Sequence, residues 1–80
     1  MDKVAAYTLI NVKIGKTKDV IEALKNIEEI KNIAATTGIY DIIIRVEAED
    51  HKHLFEVLNK VHQIDGIERT TTHVIEVEVP

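Results

Sequence analysis

The sequence predicts one α+β domain built from two β-α-β units, which share a four-stranded antiparallel sheet with both helices on one of its faces. Three observations support this prediction. The chain has 80 residues, the length of a single small domain, and we place that domain at residues 1–80. Its apolar residues recur in turn at the spacing of strands and at the spacing of helices. The second half of the chain also repeats the first.

The repeat becomes visible when residues 6–37 are aligned without a gap to residues 40–71. Nine positions are then identical, and five of them are apolar. The identical pairs are Ile10/Ile44, Val12/Val46, Lys18/Lys52, Glu22/Glu56, Leu24/Leu58, Ile30/Ile64, Ile33/Ile67, Thr36/Thr70 and Thr37/Thr71. Two copies of one supersecondary unit would produce such a match, because their apolar positions must stay in register.

The first unit begins with a predicted strand at residues 4–14, where apolar residues alternate with period two. Those that point to one side are Val4, Ala6, Ile10, Val12 and Ile14. Residues 16–19 (Lys-Thr-Lys-Asp) supply a helix cap and an acidic first turn. The apolar stripe of the helix that follows consists of Val20, Ile21, Leu24 and Ile27. Residues 30–37 return as a second strand, which Gly38 ends.

The second unit repeats this pattern. A third strand is predicted at residues 40–48, and the side chains that point inward from it are those of Ile42, Ile44 and Val46. Asp50 is a good N-cap for the second helix, whose apolar stripe consists of Leu54, Phe55, Leu58 and Val61. Asp65 and Gly66 turn the chain into the last strand, residues 67–79. Because each helix crossover is right-handed, the resulting order β-α-β-β-α-β gives an antiparallel sheet with both helices on one face.

The sheet face away from the helices carries the first indication of function. Tyr7 and Leu9 on the first strand and Ile43 on the third point to that face, and these two strands form the central pair of the predicted sheet. A central apolar patch of this kind usually marks an interface. The lack of Cys excludes disulfides as support for so small a core, which leaves a partner chain. We therefore expect these three residues to form a dimer interface between two stacked sheets.

The composition argues against several classes of protein. A net charge of −4 gives no electrostatic footprint for DNA or RNA, so we expect no direct nucleic-acid partner. The sequence shows no signal peptide, and its longest apolar run, residues 42–44, is far short of a membrane span. We expect a cytoplasmic protein that has no membrane partner. The four histidines lack metal-ligand spacing, and no catalytic pattern is present, so we expect no metal, no other cofactor and no enzyme.

Two segments, the turn between the repeats and its counterpart in the second repeat, combine side chains that suit a small zwitterion. Residues 36–41 (Thr-Thr-Gly-Ile-Tyr-Asp) offer backbone amides, a phenol and a carboxylate, and residues 68–73 (Glu-Arg-Thr-Thr-Thr-His) offer a run of hydroxyls. Amides and hydroxyls would bind a carboxylate, and Asp41 would bind an ammonium group. The residues alone leave a second interpretation open, because Thr is a good strand former and the glycine segment also suits a plain hairpin.

The charged residues give further expectations. Asp41 should lie outside the core without a partner, because only Arg45 shares its face and four residues of extended chain separate the two. The Glu28-Glu29 pair is expected to be a solvated helix end. Glu76 and Glu78 are expected to be charges that guard an edge strand.

Four stretches of the chain together resemble a known family. They are residues 9–13 (Leu-Ile-Asn-Val-Lys), 37–41 (Thr-Gly-Ile-Tyr-Asp), 46–50 (Val-Glu-Ala-Glu-Asp) and 66–72 (Gly-Ile-Glu-Arg-Thr-Thr-Thr). In order and spacing they look like the effector-binding domain of the Lrp/AsnC transcription regulators, called the RAM domain. The resemblance covers nearly the whole chain, and the second and fourth stretches are fairly specific in combination.

The resemblance implies a ferredoxin-like fold, dimers that pack their sheets together, and rings of dimers, commonly octamers, that bind amino acids between dimers. Carried over by position, the effector loop consists of Thr37, Gly38, Ile39, Tyr40 and Asp41. Thr70 and Thr72 match the last-strand contacts, and which of the threonines at positions 70–72 faces the site stays open. Typical members begin with a helix-turn-helix domain that this sequence does not show, so the chain resembles the stand-alone form of the RAM domain.

The expected function is therefore that of an amino-acid-sensing, self-assembling regulatory module, which modulates Lrp/AsnC-type regulators and has full-length regulators as further partners. Three alternatives stay open. One is an ACT-like domain, which shares the strand order and also binds amino acids. Another is a small dimeric enzyme of ferredoxin-like fold, although the cleft between helices and sheet shows only Ile, Val and Leu. The last is an assembly protein without a ligand.

Overall fold

The six predicted elements are all present in a computed structural model, which describes residues 3–80 and leaves Met1 and Asp2 of the expected domain outside the described residues. They are β1 (Val4–Val12), α1 (Thr17–Leu24), β2 (Ile30–Ala35), β3 (Ile42–Ala48), α2 (His51–His62) and β4 (Ile67–Val74). The strands form one antiparallel sheet in the order β2-β3-β1-β4. The predicted ferredoxin-like βαββαβ fold is confirmed, with β1 and β3 as its central pair.

The core lies between the sheet and the two helices. Strand pairing places Ile10 opposite Ile42 and Ala6 opposite Val46, so that both central strands send their buried side chains to the helix face. The fully buried apolar residues are Ala6, Ile10, Val20, Leu24, Ile42, Ile44, Val46, Leu54, Val57 and Val61. Thr8 is buried among them, and its hydroxyl lies 2.9 Å from that of Thr72. This pair satisfies a polar group that would otherwise be costly to bury.

Four predicted strand ends are wrong. β1 stops at Val12, because residues 13–16 form a turn in which the Lys16 N–H donates to the Lys13 carbonyl, and Ile14 is fully exposed there. The strands β2 and β3 are each two residues shorter at the turn that joins them. β4 stops at Val74 instead of residue 79. The Ile75 N–H still donates to the Ala5 carbonyl, and beyond it residues 76–80 form no strand.

The helices differ from the prediction in capping and in one core position. Lys16 is the N-cap of α1 and makes no side-chain cap, whereas Asp19 does lie in the first turn. Asp50 caps α2 as predicted, since its carboxylate accepts the His53 N–H at 2.8 Å. The predicted core residue Phe55 is 60% exposed, and Val57 is buried in its place. Neither helix is long and apolar enough to cross a membrane within the described part of the chain.

Gly66 forms the turn between α2 and β4 and touches the start of α1. Its φ is +101°, a backbone conformation that favours glycine. A Cβ atom built at this position would lie 2.9 Å from Cβ of Lys16 and 3.0 Å from Cγ2 of Val20. The Gly66 carbonyl also accepts the Lys13 N–H at 2.8 Å. The turn therefore fixes the second repeat against the first.

Candidate functional site

The loop predicted to bind an effector, residues 36–41, is closed by its own hydrogen bonds. The Thr36 hydroxyl donates to the Tyr40 carbonyl at 2.7 Å, and the Thr36 N–H donates to the Asp41 carbonyl at 2.9 Å. Thr37, Gly38 and Ile39 are exposed at the tip, with Ile39 at 85%. The loop thus presents three residues to solvent from a fixed base.

The base of this loop is attached to the end of β1. The Asn11 side-chain amide donates to the Ile39 carbonyl at 2.7 Å, and the Asp41 N–H donates to the Ile10 carbonyl at 2.9 Å. The Val12 N–H donates to Oδ2 of Asp41 at 2.9 Å. The pairing between β1 and β3 ends at Ile10, so the Asp41 carboxylate replaces a strand partner for Val12. The expectation that Asp41 has no partner is therefore wrong.

The threonines of β4 lie on alternate faces of the sheet. Thr70 and Thr72 pair with Ile10 and Thr8 and share their helix side, whereas Thr71 pairs with Leu9 and lies on the open face. The Thr72 hydroxyl bonds to Thr8, as described above, and the Thr70 hydroxyl lies 2.6 Å from Nε2 of His62. Both hydroxyls predicted as ligand contacts thus already have partners within the chain.

A single chain does not bring the loop and these threonines together. β1 lies between β3 and β4, and Ile10 has Ile42 on one side and Thr70 on the other. Two strand spacings therefore separate the start of β3 from Thr70, which is about 10 Å. A ligand of amino-acid size that touched both would have to bridge the end of the sheet.

The three residues expected at a dimer interface lie together on the open face. Leu9 and Ile43 are direct partners across the central strand pair, and Tyr7 is the partner of Arg45 one step further along that face. Tyr7 is 39% exposed, and Leu9 and Ile43 are half-buried. An apolar patch flanked by one arginine therefore occupies the centre of the sheet.

Arg45 organises a charged cluster beside this patch that the sequence analysis missed. Its guanidinium contacts Oε1 of Glu78 at 2.6 Å and also binds Glu47, while the Tyr7 hydroxyl donates to Oε2 of Glu78 at 3.2 Å. Hydrogen bonds from Arg45 hold the pKa of the Glu47 and Glu78 carboxyls below the usual range, and these carboxylates raise the pKa of Arg45. Glu78 is therefore not an edge-strand guard. Arg45 and Glu47, two residues apart on one strand face, were the available signal.

A second polar cluster lies at the start of the edge strand β2, around His53. Its Nε2 lies 2.8 Å from Oε2 of Glu29, and its Nδ1 accepts the Glu49 N–H at 3.1 Å. Because Nδ1 accepts, this geometry assigns the ring proton to Nε2. The hydrogen bond from His53 is the main cause of a lowered pKa of Glu29. Glu29 is thus held by α2, which corrects its prediction as part of a solvated helix end.

The Glu29–His53 pair lines a small polar cavity of about 90 Å³. Its other polar wall residues are Lys3, Glu28, Lys31, Glu47 and Glu49. No cluster of three or more His, Cys, Asp or Glu in metal-binding geometry occurs among residues 3–80. The cavity does not include the loop at 36–41.

The Glu29→Gln variant is expected to lose stability less steeply than the unmodified chain when the pH falls from about 5 to about 3. The pKa of Glu29 is lower in the folded chain, so its carboxylate adds stability above the ordinary pKa of Glu, and this contribution disappears as the folded group takes up a proton. Urea denaturation at a series of pH values measures the difference. Glu28→Gln, at an exposed neighbour, is the matched control and should follow the unmodified chain. Equal slopes for all three proteins would contradict the role of the pair.

The βαββαβ order, the four-stranded antiparallel sheet and the two helices define a small domain of ferredoxin-like type. The comparison with protein families agrees with this class. The model described as the Lrp/AsnC ligand binding domain matches residues 5–79. The chain belongs to the Lrp/AsnC family.

Two of the relatives found are regulators about twice as long as this chain, and a third has about the same length. The HTH-type transcriptional regulator FL11 of Pyrococcus furiosus is 33% identical over 72 residues, which are 90% of this chain and 48% of FL11. The structure of AsnC from E. coli superposes with a TM-score of 0.88 at 27% identity and covers 94% of this chain and 52% of AsnC. The chain thus spans about half the length of these regulators. A hypothetical protein of Pyrococcus horikoshii, PHS023, matches with a TM-score of 0.84 at 30% identity, over 94% of this chain and 92% of PHS023.

Proposed function

We propose that this chain is an amino-acid-responsive assembly module, in which the loop at residues 37–41 binds the amino acid and the open sheet face joins two chains into a dimer. The observation that carries the proposal is the loop itself, which β1 holds rigid while its tip stays exposed. A site that is fixed before binding loses little conformational entropy when a ligand arrives. Membership in a family of ligand-binding domains supports the same function.

The loop has donors and an acceptor for both ends of an amino acid. The exposed Thr37 hydroxyl and the backbone amides of Gly38 and Ile39 are suited to the carboxylate. Asp41 uses Oδ2 for Val12, which leaves Oδ1 as the acceptor for the ammonium group. In this proposal Tyr40, which is half-buried at the base of the loop, borders the ligand side chain.

The second half of the proposed site comes from another chain. Thr70 and Thr72 lie across β1 from the loop of their own chain, so we infer that they contribute to a site completed where dimers meet. Rings of dimers, octamers among them, provide such junctions. Full-length Lrp/AsnC regulators have the same domain, and we propose that this chain modulates them by joining their assemblies.

Asp41→Asn is expected to keep the fold and to weaken amino-acid binding by about 1.5–3 kcal/mol, because the amide oxygen still accepts the Val12 N–H while the charge opposite the ammonium group is lost. Thermal shift against the twenty amino acids identifies the ligand, and titration calorimetry then compares the two proteins.

Asp41→Ala is the matched control, since it removes the acceptor as well as the charge. The unpaired Val12 N–H should lower the free energy of unfolding by about 1–3 kcal/mol, a cost that Asp41→Asn avoids. Equal affinity of Asp41→Asn and the unmodified chain would remove Asp41 from the site. A stability loss as large in Asp41→Asn as in Asp41→Ala would assign the charge itself to the fold.

A further inference from the structure

The C-terminal segment, residues 75–80, has an unusual distribution of apolar and charged side chains. Val77 and Val79 are 76% and 81% exposed, whereas Glu78 between them is turned to the sheet and bound by Arg45 and Tyr7. Because both valines are exposed to solvent, their side chains add almost no apolar packing to the fold of the single chain. Apolar residues held in this way are typical of a surface that a partner covers.

Glu78 fixes the position of this segment relative to the open face. Arg45 donates from Nη2 to Oε1 and from Nε to Oε2 of Glu78, at 2.6 and 3.4 Å, and is itself only 23% exposed. A two-point contact of this kind restricts orientation as well as distance. The segment is thereby held next to the patch of Tyr7, Leu9 and Ile43, and it does not move freely in solvent.

The size of the open face also indicates that it needs additional surface. Four strands at their usual spacing are about 20 Å wide, and central strands of this length extend about 25 Å, which gives a face of roughly 500 Å². A stable interface buries about 800 Å² on each partner. The flat footprint of the sheet face is smaller than that, and Glu78 holds the C-terminal segment beside this face.

We propose that residues 75–80 form an arm that binds a second copy of this chain, with Val77 and Val79 packing against the apolar patch of that copy and the Arg45–Glu78 ion pair holding the arm in position. The contact is reciprocal, because a two-fold axis pairs each arm with the other patch. This inference rests on the proposed dimer and adds to it the segment that enlarges the interface.

The test is the dimer dissociation constant, measured by sedimentation equilibrium on full-length chains. The double variant Val77→Ser/Val79→Ser should raise this constant at least tenfold without a change in the unfolding of the single chain, since both side chains are exposed there. Phe55→Ser is the matched control, because it removes an exposed apolar side chain from α2 on the other side of the molecule and should leave the constant unchanged.

The role of the ion pair has its own pair of variants. Glu78→Gln should raise the dissociation constant severalfold and reduce its dependence on salt, whereas Glu76→Gln, at an exposed neighbour, should do neither. If the valine double variant dimerises as tightly as the unmodified chain while Leu9→Lys does not, the proposed role of the arm is wrong and the proposed sheet-to-sheet dimer is supported. If the unmodified chain is monomeric at all concentrations, both proposals fall.

Discussion

Leu9→Lys is expected to convert the proposed dimer of this chain into a folded monomer. Leu9 lies at the centre of the open face and pairs directly with Ile43, so in a stacked dimer a lysine here would place an unpaired ammonium group between two sheets. Such burial costs more than a small interface can offset, whereas in the single chain the same side chain reaches solvent. Light scattering after size exclusion measures the mass, and circular dichroism measures the retained fold.

Phe55→Lys is the control for this change, because it adds the same charge at an exposed apolar residue of α2. It should keep the mass of the unmodified chain. If Leu9→Lys also keeps that mass and the melting temperature, the patch of Tyr7, Leu9 and Ile43 is a solvent-exposed surface and no dimer interface. Thr71→Lys, on β4 beside Leu9, tests the same face at a position that is already polar.

Gly66→Ala is expected to lower the free energy of unfolding by about 3 kcal/mol, the largest stability loss that we predict for a single methyl group in this chain. The new Cβ would meet Cβ of Lys16 at 2.9 Å, close to the backbone, where the neighbour cannot move aside without shifting α1. Overpacking of this kind costs about 1–3 kcal/mol, and the left-handed backbone adds about 1–2 kcal/mol. Urea denaturation gives the loss directly.

Gly15→Ala separates the two causes. Gly15 also has a positive φ, +83°, but a Cβ there has no atom within 4 Å, so only the backbone cost of about 1–2 kcal/mol applies. The difference between the two variants is the steric contact between the repeats. Equal losses would show that the Gly66 turn yields to the added methyl group.

The order of the elements could be predicted because two independent signals agree at each of them. The 34-residue repeat and the change between period two and helical spacing both place six elements in the same order. The ends were less accessible to sequence reasoning. Val77 and Val79 continue an alternating pattern, but a strand also needs a neighbouring strand with which to form hydrogen bonds. Beyond the Ile75–Ala5 hydrogen bond, Val4 is the one residue of β1 that remains for such pairing.

The error at Phe55 has a similar physical origin. Positions 54, 58 and 61 fix the apolar stripe of α2, and either residue 55 or residue 57 can extend it at helical spacing. Hydrophobicity favours the aromatic residue, but the sheet lies nearer to the side on which Val57 is placed. Only the packing of α2 on β3 and β1 decides between the two sides.

The position of the candidate loop in the fold was predictable, whereas its contacts were not. The loop at 37–41 lies where the strands turn, as the glycine predicted, and Asp41 is outside the core. Its partner Val12 is 29 residues away in sequence, and the pattern along one strand cannot show a contact between strands. The same holds for Glu78 and Arg45, which are 33 residues apart.

The pairing of Leu9 with Ile43 defines a pseudo-symmetry axis of the chain. These residues are counterparts in the two repeats, and on either side of them Thr8 pairs with Ile44 and Ile10 with Ile42, so an approximate two-fold axis passes through the sheet between Leu9 and Ile43. A partner stacked on this axis could bind in two nearly equivalent orientations related by a half turn. The degeneracy is broken where the repeats differ, among other places at Tyr7, whose counterpart is Asp41, at Arg45, whose counterpart is Asn11, and at the arm that follows the second repeat alone. In the proposed dimer, Arg45 and Glu78 would therefore have a consequence separate from affinity, since they would favour one of the two orientations and so help to fix where the loops of that dimer lie.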